Sequence, residues 1–152
     1  MKNQTCCFTG HINIPAHKYE AIRKRLEEEI INLINQAGGA LGFDTLAALT
    51  VLKLKEEFPH ISLILVLPCC DQAKRWGEED KKIYDQILGQ ADKVVYTAEG
   101  YYNGCMHVRN RHLVKHSKFC ICYLIEAYGG GTSYTVNYAR QKGLTIINVA
   151  LS

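Results

Sequence analysis

Apolar residues recur along this 152-residue chain with two different spacings, and the alternation between them predicts the fold. From Lys18 to about Asn35, Tyr19, Ile22, Leu26, Ile30, Leu33 and Ile34 return at three- and four-residue steps, the period of an amphipathic helix. Arg23, Lys24, Arg25, Glu27, Glu28 and Glu29 fall on its wet face and read as solvating charge. Ile61 to Leu67 is instead a nearly continuous apolar run, as expected of a parallel strand covered on both faces. Shorter strands are predicted at Thr5–Thr9, Lys93–Thr97, Phe119–Ile125 and Leu144–Val149. Helices fall between them at Thr45 to about Glu57, Glu78–Gly89, Cys105–His116 and Tyr134–Lys142. Asp44 is placed to cap the second helix, and Pro59 follows its end. This order predicts an α/β fold, a doubly wound and mostly parallel sheet with helices on both faces, as a single domain over residues 1–152.

One interval resists the pattern. The first helix runs to about Asn35 and a glycine turn begins at Gly38, which leaves no room for the strand that should feed the turn. Either Ile30–Asn35 is strand against its helical period, or a few residues are absent from the chain here. The second option is preferred; it predicts a Cα–Cα separation well above ~3.8 Å near Gln36–Ala37.

Two glycine-rich turns carry the candidate chemistry. Gly129-Gly130-Gly131-Thr132-Ser133 follows the Phe119 strand and opens a helix, and Gly38-Gly39-Ala40-Leu41-Gly42-Phe43-Asp44 has the same character. A strand, a glycine turn and a helix N-terminus leave backbone N–H groups aimed at one spot, which favours an anion such as phosphate. Two such cradles suggest a nucleotide-like ligand; the alternative is that the glycines only permit tight turns. In a doubly wound fold the loops after the strands share one rim. That rim would collect Thr9-Gly10-His11, Gly38 to Asp44, Cys69 to Trp76 and Gly129 to Ser133.

Several side chains on or near the rim have two readings. His11 is a phosphate donor or acid/base group, or a structural turn histidine. Arg109 and Arg111 offer donor forks suited to phosphate, but neighbours this close on a helix do not all face one ligand, so one of the two is expected there. Trp76 and Tyr128 either stack on a base or cover the core edge, and Asp44 reads as a cap before a catalytic carboxylate. His11, Asp71 and Arg109 are the catalytic suspects, yet no nucleophile–base–orienter set is legible, so binding is better supported than catalysis.

Composition narrows the class. A net charge of +3 and a pI near 8.4 are mildly basic, below the usual range of dedicated nucleic-acid domains, so nucleic acid is neither required nor excluded. No run approaches a membrane span and no signal pattern opens the chain, so a cytoplasmic location is expected. The seven cysteines are odd in number with no C-x-x-C, and reduced, partly buried thiols are expected. His112 and His116 stand four apart on one helical face without a second ligand pair, so no metal is expected.

With these stretches in view, the chain resembles the YpsA/YoqJ-type family of the SLOG superfamily, a Rossmann-like group that includes the DprA and LOG families. The resemblance rests on Cys6-Cys-Phe-Thr-Gly-His11, Gly38 to Asp44, Leu65-Val-Leu-Pro-Cys69 with Asp71-Gln72, Gly104 to Arg111, and Gly129-Gly-Gly-Thr132 through Asn137-Tyr-Ala139. It implies a SLOG domain that binds a nucleotide or nucleotide derivative through both glycine turns, with Thr9, Gly10, His11, Gly38, Gly39, Ala40, Gly42, Asp44, Arg109, Arg111 and Gly129 to Ser133 in or beside the site. It also implies a homodimer, and a regulatory or sensing role fits best. Ile12 stands where this group usually has Arg. Thr135 stands where the LOG pattern similar to Gly-Gly-x-Gly-Thr-x-x-Glu has its glutamate, which argues against LOG-type hydrolysis. Arg109-Asn110-Arg111 looks like the Arg-Asn-Arg of DprA, a single-stranded DNA binder, and keeps that alternative open.

Overall fold

The computed structural model describes residues 4–11, 14–36, 40–41, 45–69, 77–100, 102–125 and 130–150. Its elements in chain order are β1 (Cys6–Gly10), α1 (Ala16–Gln36), β2 (Ala40–Leu41), α2 (Thr45–Lys55), β3 (Ser62–Leu67), α3 (Glu78–Gln90), β4 (Lys93–Tyr96), α4 (Cys105–Lys115), β5 (Phe119–Tyr123), α5 (Gly130–Gln141) and β6 (Thr145–Asn148). The six strands form one sheet in the order β4-β3-β2-β1-β5-β6, and every pairing is parallel. The expected α/β, doubly wound architecture is therefore present.

Strand periodicity divides the core in two. Cys6 and Phe8 of β1, Leu63, Leu65 and Leu67 of β3, and Ile121 and Tyr123 of β5 face α1, α2 and α3. They meet Ile22, Leu26 and Ile30 of α1 and Val51 and Leu54 of α2 there, at the helical spacing seen in the sequence. The alternate residues Cys7, Val66, Cys120 and Cys122 face α4 and α5, against Leu113, Val114, Val136 and Ala139. The six described cysteines are free and fully buried, deeper than the partly buried thiols expected. Burial pushes the thiol of Cys6 well up and that of Cys122 to about 11, as expected when a thiolate would lose its water.

Two differences from the sequence reading concern the glycine turns. Helix α1 continues through Gln36, so Ile30–Asn35 is not strand, and the chain around Ala37 lies outside the described residues. The feeding strand is Ala40–Leu41, inside what reads as one glycine turn. Two residues suffice because β2 is held from both sides: Leu41 aligns with Cys6 of β1 and with Leu63 of β3. Helix α5 begins at Gly130, four residues before Tyr134, so Gly130 to Ser133 form its first turn and do not precede it.

The start of β4 is tied to its neighbours by one carboxylate. Asp92 accepts from Lys55 Nζ at 2.6 Å and from the Leu63 N–H at 2.7 Å. The hydrogen bond from Lys55 is the main reason the Asp92 carboxyl titrates below its usual range. Asp92→Ala should lower stability at pH 7 by about 1–2 kcal/mol, with solvent at this 37% exposed side chain holding it to the low end. A folded pKa below the unfolded one means the contribution is present above the unfolded value, near 3.9, and is lost as pH falls through the folded value. Thermal melts should therefore separate wild type and variant at pH 7 and converge toward pH 3; a gap of equal size at pH 3 would contradict the role given to the ionised carboxylate.

Candidate functional site

The order of connection reverses between β1 and β5. From β1 the chain builds β2, β3 and β4 on one flank, then returns through α4 to place β5 on the other flank of β1. In open parallel sheets the crevice at such a reversal, outside the carboxyl ends of the strands, is where ligands bind.

Three residues of β1 and its exit build one wall. Gly10 aligns with Tyr123, and a Cβ at Gly10 would lie 3.2 Å from the Tyr123 Cβ, so a larger residue would force the strand ends apart. Beyond it, the His11 N–H donates to the Tyr123 carbonyl at 3.2 Å, and the ring meets Tyr123 edge-on at 5.9 Å. His11 Nε2 accepts the Ile125 N–H at 3.0 Å and also lies 3.3 Å from the Ile125 carbonyl. His11 thus closes the β1–β5 junction through its backbone and its ring together. On the α1 side of this junction lies a pocket walled by Phe8, Ile14, Ile22, Leu46 and Val149, with Thr9, His11 and Tyr123 as its polar groups. No Asp, Glu, Lys or Arg lines it among the described residues.

The element that follows β5, α5, opens at Gly130, and none of its residues lines this pocket. Gly130 has φ +82°, a left-handed conformation that glycine adopts without cost. Thr132 is only 8% exposed, and its hydroxyl has no hydrogen-bond partner among the described residues. The first N–H groups of any helix also lack intrahelical partners, and the helix dipole is positive at this end. Thr135, 2% exposed, gives its hydroxyl to the Gly131 carbonyl at 3.0 Å.

The two arginines diverge. Arg109 turns back to the sheet, its Nη1 donating to the Val66 carbonyl at 3.3 Å and its Nε to Asn110 Oδ1 at 2.7 Å. Arg111 points to α5, its Nη1 lying 3.4 Å from the Tyr134 hydroxyl, and the His107 ring sits edge-on to Tyr134 at 4.7 Å. Ser133 is half-buried in the first turn of α5. Gly38, Gly39, Gly42, Asp44, Asp71, Trp76, Tyr128 and Gly129 lie outside the described residues, and Ala40 is in β2. His112 and His116 stack at 4.2 Å, and His116 Nδ1 lies 2.8 Å from the His112 carbonyl; no cluster of three metal-ligating side chains occurs among the described residues. Tyr123 and Tyr134 are the site neighbours the sequence reading misses. The only signal for Tyr123 was its place at a strand end beside a glycine turn.

A parallel sheet with a glycine-opened helix at its reversal point defines a Rossmann-like domain. The YpsA family model, described as the YspA SLOG family, matches residues 10–147. The chain belongs to this family. It is 33% identical over 129 residues to a UPF0398 protein of Halalkalibacterium halodurans, covering 80% of this chain and 68% of that one. It is 32% identical over 133 residues to the uncharacterized SPbeta prophage-derived protein YoqJ of Bacillus subtilis, covering 77% of each. No described helix is long and apolar enough to cross a membrane.

Proposed function

We propose that the chain binds a nucleotide or nucleotide derivative across the β1–β5 crevice, in a sensing or regulatory role. The observation that carries this reading is an apolar pocket at the β1–β5 junction and, on the element that follows β5, a glycine-opened helix N-terminus. An apolar pocket without formal charge suits a base, and the α5 N-terminus with the unpartnered Thr132 hydroxyl suits a phosphate. A base-and-phosphate ligand has the same division of chemistry. A binding role is favoured over turnover because Thr135 holds the position of the LOG glutamate and spends its hydroxyl on the helix backbone.

Thermal denaturation of the purified chain against nucleotides, dinucleotides and nucleotide sugars tests the reading. A ligand at ~100 times its Kd should stabilise the fold by about 2.7 kcal/mol, a rise of roughly 5–10 °C. If no member of the three classes moves the melting temperature, the reading fails.

A further inference from the structure

The buried hydroxyls of Thr50, Thr135 and Ser117 all have partners. Thr50 gives its Oγ1 to the Leu46 carbonyl at 2.8 Å, Thr135 gives its own to Gly131, and Ser117 meets the Cys7 thiol. Tyr123 differs. The residue is only 6% exposed, yet its phenol hydroxyl makes no hydrogen bond among the described residues. A buried polar group without a partner costs free energy on folding, and one that persists calls for a reason. Phenylalanine would supply the same ring to the core without that cost.

The ring that carries this hydroxyl is held in place. Tyr123 lies on the same face of the sheet as Ile121 and as Phe8 of the neighbouring strand β1. Its Cβ has room only because Gly10, its register partner, has none, and His11 meets the ring edge-on. From there Tyr123 lines the apolar pocket together with Ile14, Ile22, Leu46 and Val149. A phenol hydroxyl both donates and accepts, so it can pair with either kind of polar atom on an occupant. With no Asp, Glu, Lys or Arg on the pocket wall among the described residues, nothing there would compensate a charged group for its lost water.

We infer that the Tyr123 hydroxyl is the hydrogen-bonding contact that orients the occupant of this pocket, and that the occupant is an uncharged planar ring. A purine or pyrimidine meets this description and a pyridinium does not. The inference rests on the reading of the crevice as a ligand site, but it concerns the ring end alone and requires no phosphate at α5. Ring probes without phosphate therefore test it: adenosine, thymidine, nicotinamide riboside and the reduced, uncharged form of that riboside, each titrated by ligand-observed NMR. At least one uncharged probe should bind, and the reduced riboside should bind at least tenfold more tightly than the cationic one. Tyr123→Phe should weaken the uncharged probes roughly tenfold, the effect of one hydrogen bond, while the ligand-free variant melts at or above the wild-type temperature. A hydroxyl kept for the fold would instead lower the melting point. Ile14→Trp, at a half-buried position on the pocket wall, should block the same probes and so locate them. Binding of the ring probes with no gain in affinity from added phosphates would leave this inference standing and remove only the phosphate half of the proposed function. No binding of any uncharged probe at millimolar concentration, equal affinity for the two ribosides, or unchanged binding in Tyr123→Phe or Ile14→Trp would each overturn the inference. So would a fall of more than ~4 °C in the melting point of ligand-free Tyr123→Phe.

Discussion

Gly131→Asp should melt at or above the wild-type temperature and yet lose at least 100-fold in affinity for any phosphate-bearing ligand of the crevice. The two effects separate because of where Gly131 sits. It is the second residue of α5, exposed, outside the left-handed region, and nothing lies within 4 Å of a Cβ built on it. A side chain there removes part of the entropic cost of a helical glycine, on the order of 0.5–1 kcal/mol. The first turn of α5 carries no acidic residue, so the new carboxylate also meets an uncompensated positive dipole end, worth about 0.3–1 kcal/mol. The same carboxylate occupies the place where a phosphate would approach, and opposed like charges cost several kcal/mol. Gly130→Asp is a poorer test, because φ +82° makes any side chain at that position strained and mixes loss of fold with loss of binding. Melting curves with and without ligand decide the matter. An undiminished ligand-induced rise in Gly131→Asp would remove phosphate from the α5 N-terminus, and a destabilised apo variant would show that its first turn is not the open helix end described.

The features legible in the sequence were those with a repeating pattern. The apolar run of β3 and the three-and-four spacing of α1 need many residues each, and their observed bounds differ from the expected ones by one or two positions. Strand β2 was illegible because two residues carry no period; Ala40 and Leu41 are extended only because β1 and β3 hold them from both sides. The early start of α5 was hidden for a related reason. Gly, Gly, Thr and Ser are weak helix formers, so the apolar pattern begins only where Val136 and Ala139 reach the core. For the site, strand ends and glycines pointed to the rim. Nothing in one dimension could show Arg109 turning back to the Val66 carbonyl, or His11 accepting from Ile125, 114 residues away.

Restoring the glutamate of the LOG-like pattern should fail structurally before it could succeed chemically. Thr135 is 2% exposed, on the side of α5 that also carries the buried Val136 and Ala139, and its small hydroxyl already has an acceptor in the Gly131 carbonyl. Thr135→Glu would put a longer side chain and a carboxylate into a space filled to native density. Either the carboxyl stays charged without a buried partner or it takes a proton and still crowds the core; removal of one member of a buried ion pair, the measured analogue, costs about 3–5 kcal/mol. Against a total stability of about 5–15 kcal/mol this is a melting-point fall of at least ~6–12 °C, or outright unfolding. Thr135→Val removes the same hydroxyl while keeping the volume. It should stay within a few degrees of wild type, because a hydroxyl bonded back to the carbonyl four residues earlier adds little to a helix. Thermal melts of both variants, with an assay for base release from nucleoside monophosphates, distinguish the outcomes. A stable Thr135→Glu protein would mean that position 135 opens to the crevice, and base release by it would place a working acid/base site one substitution away from this chain.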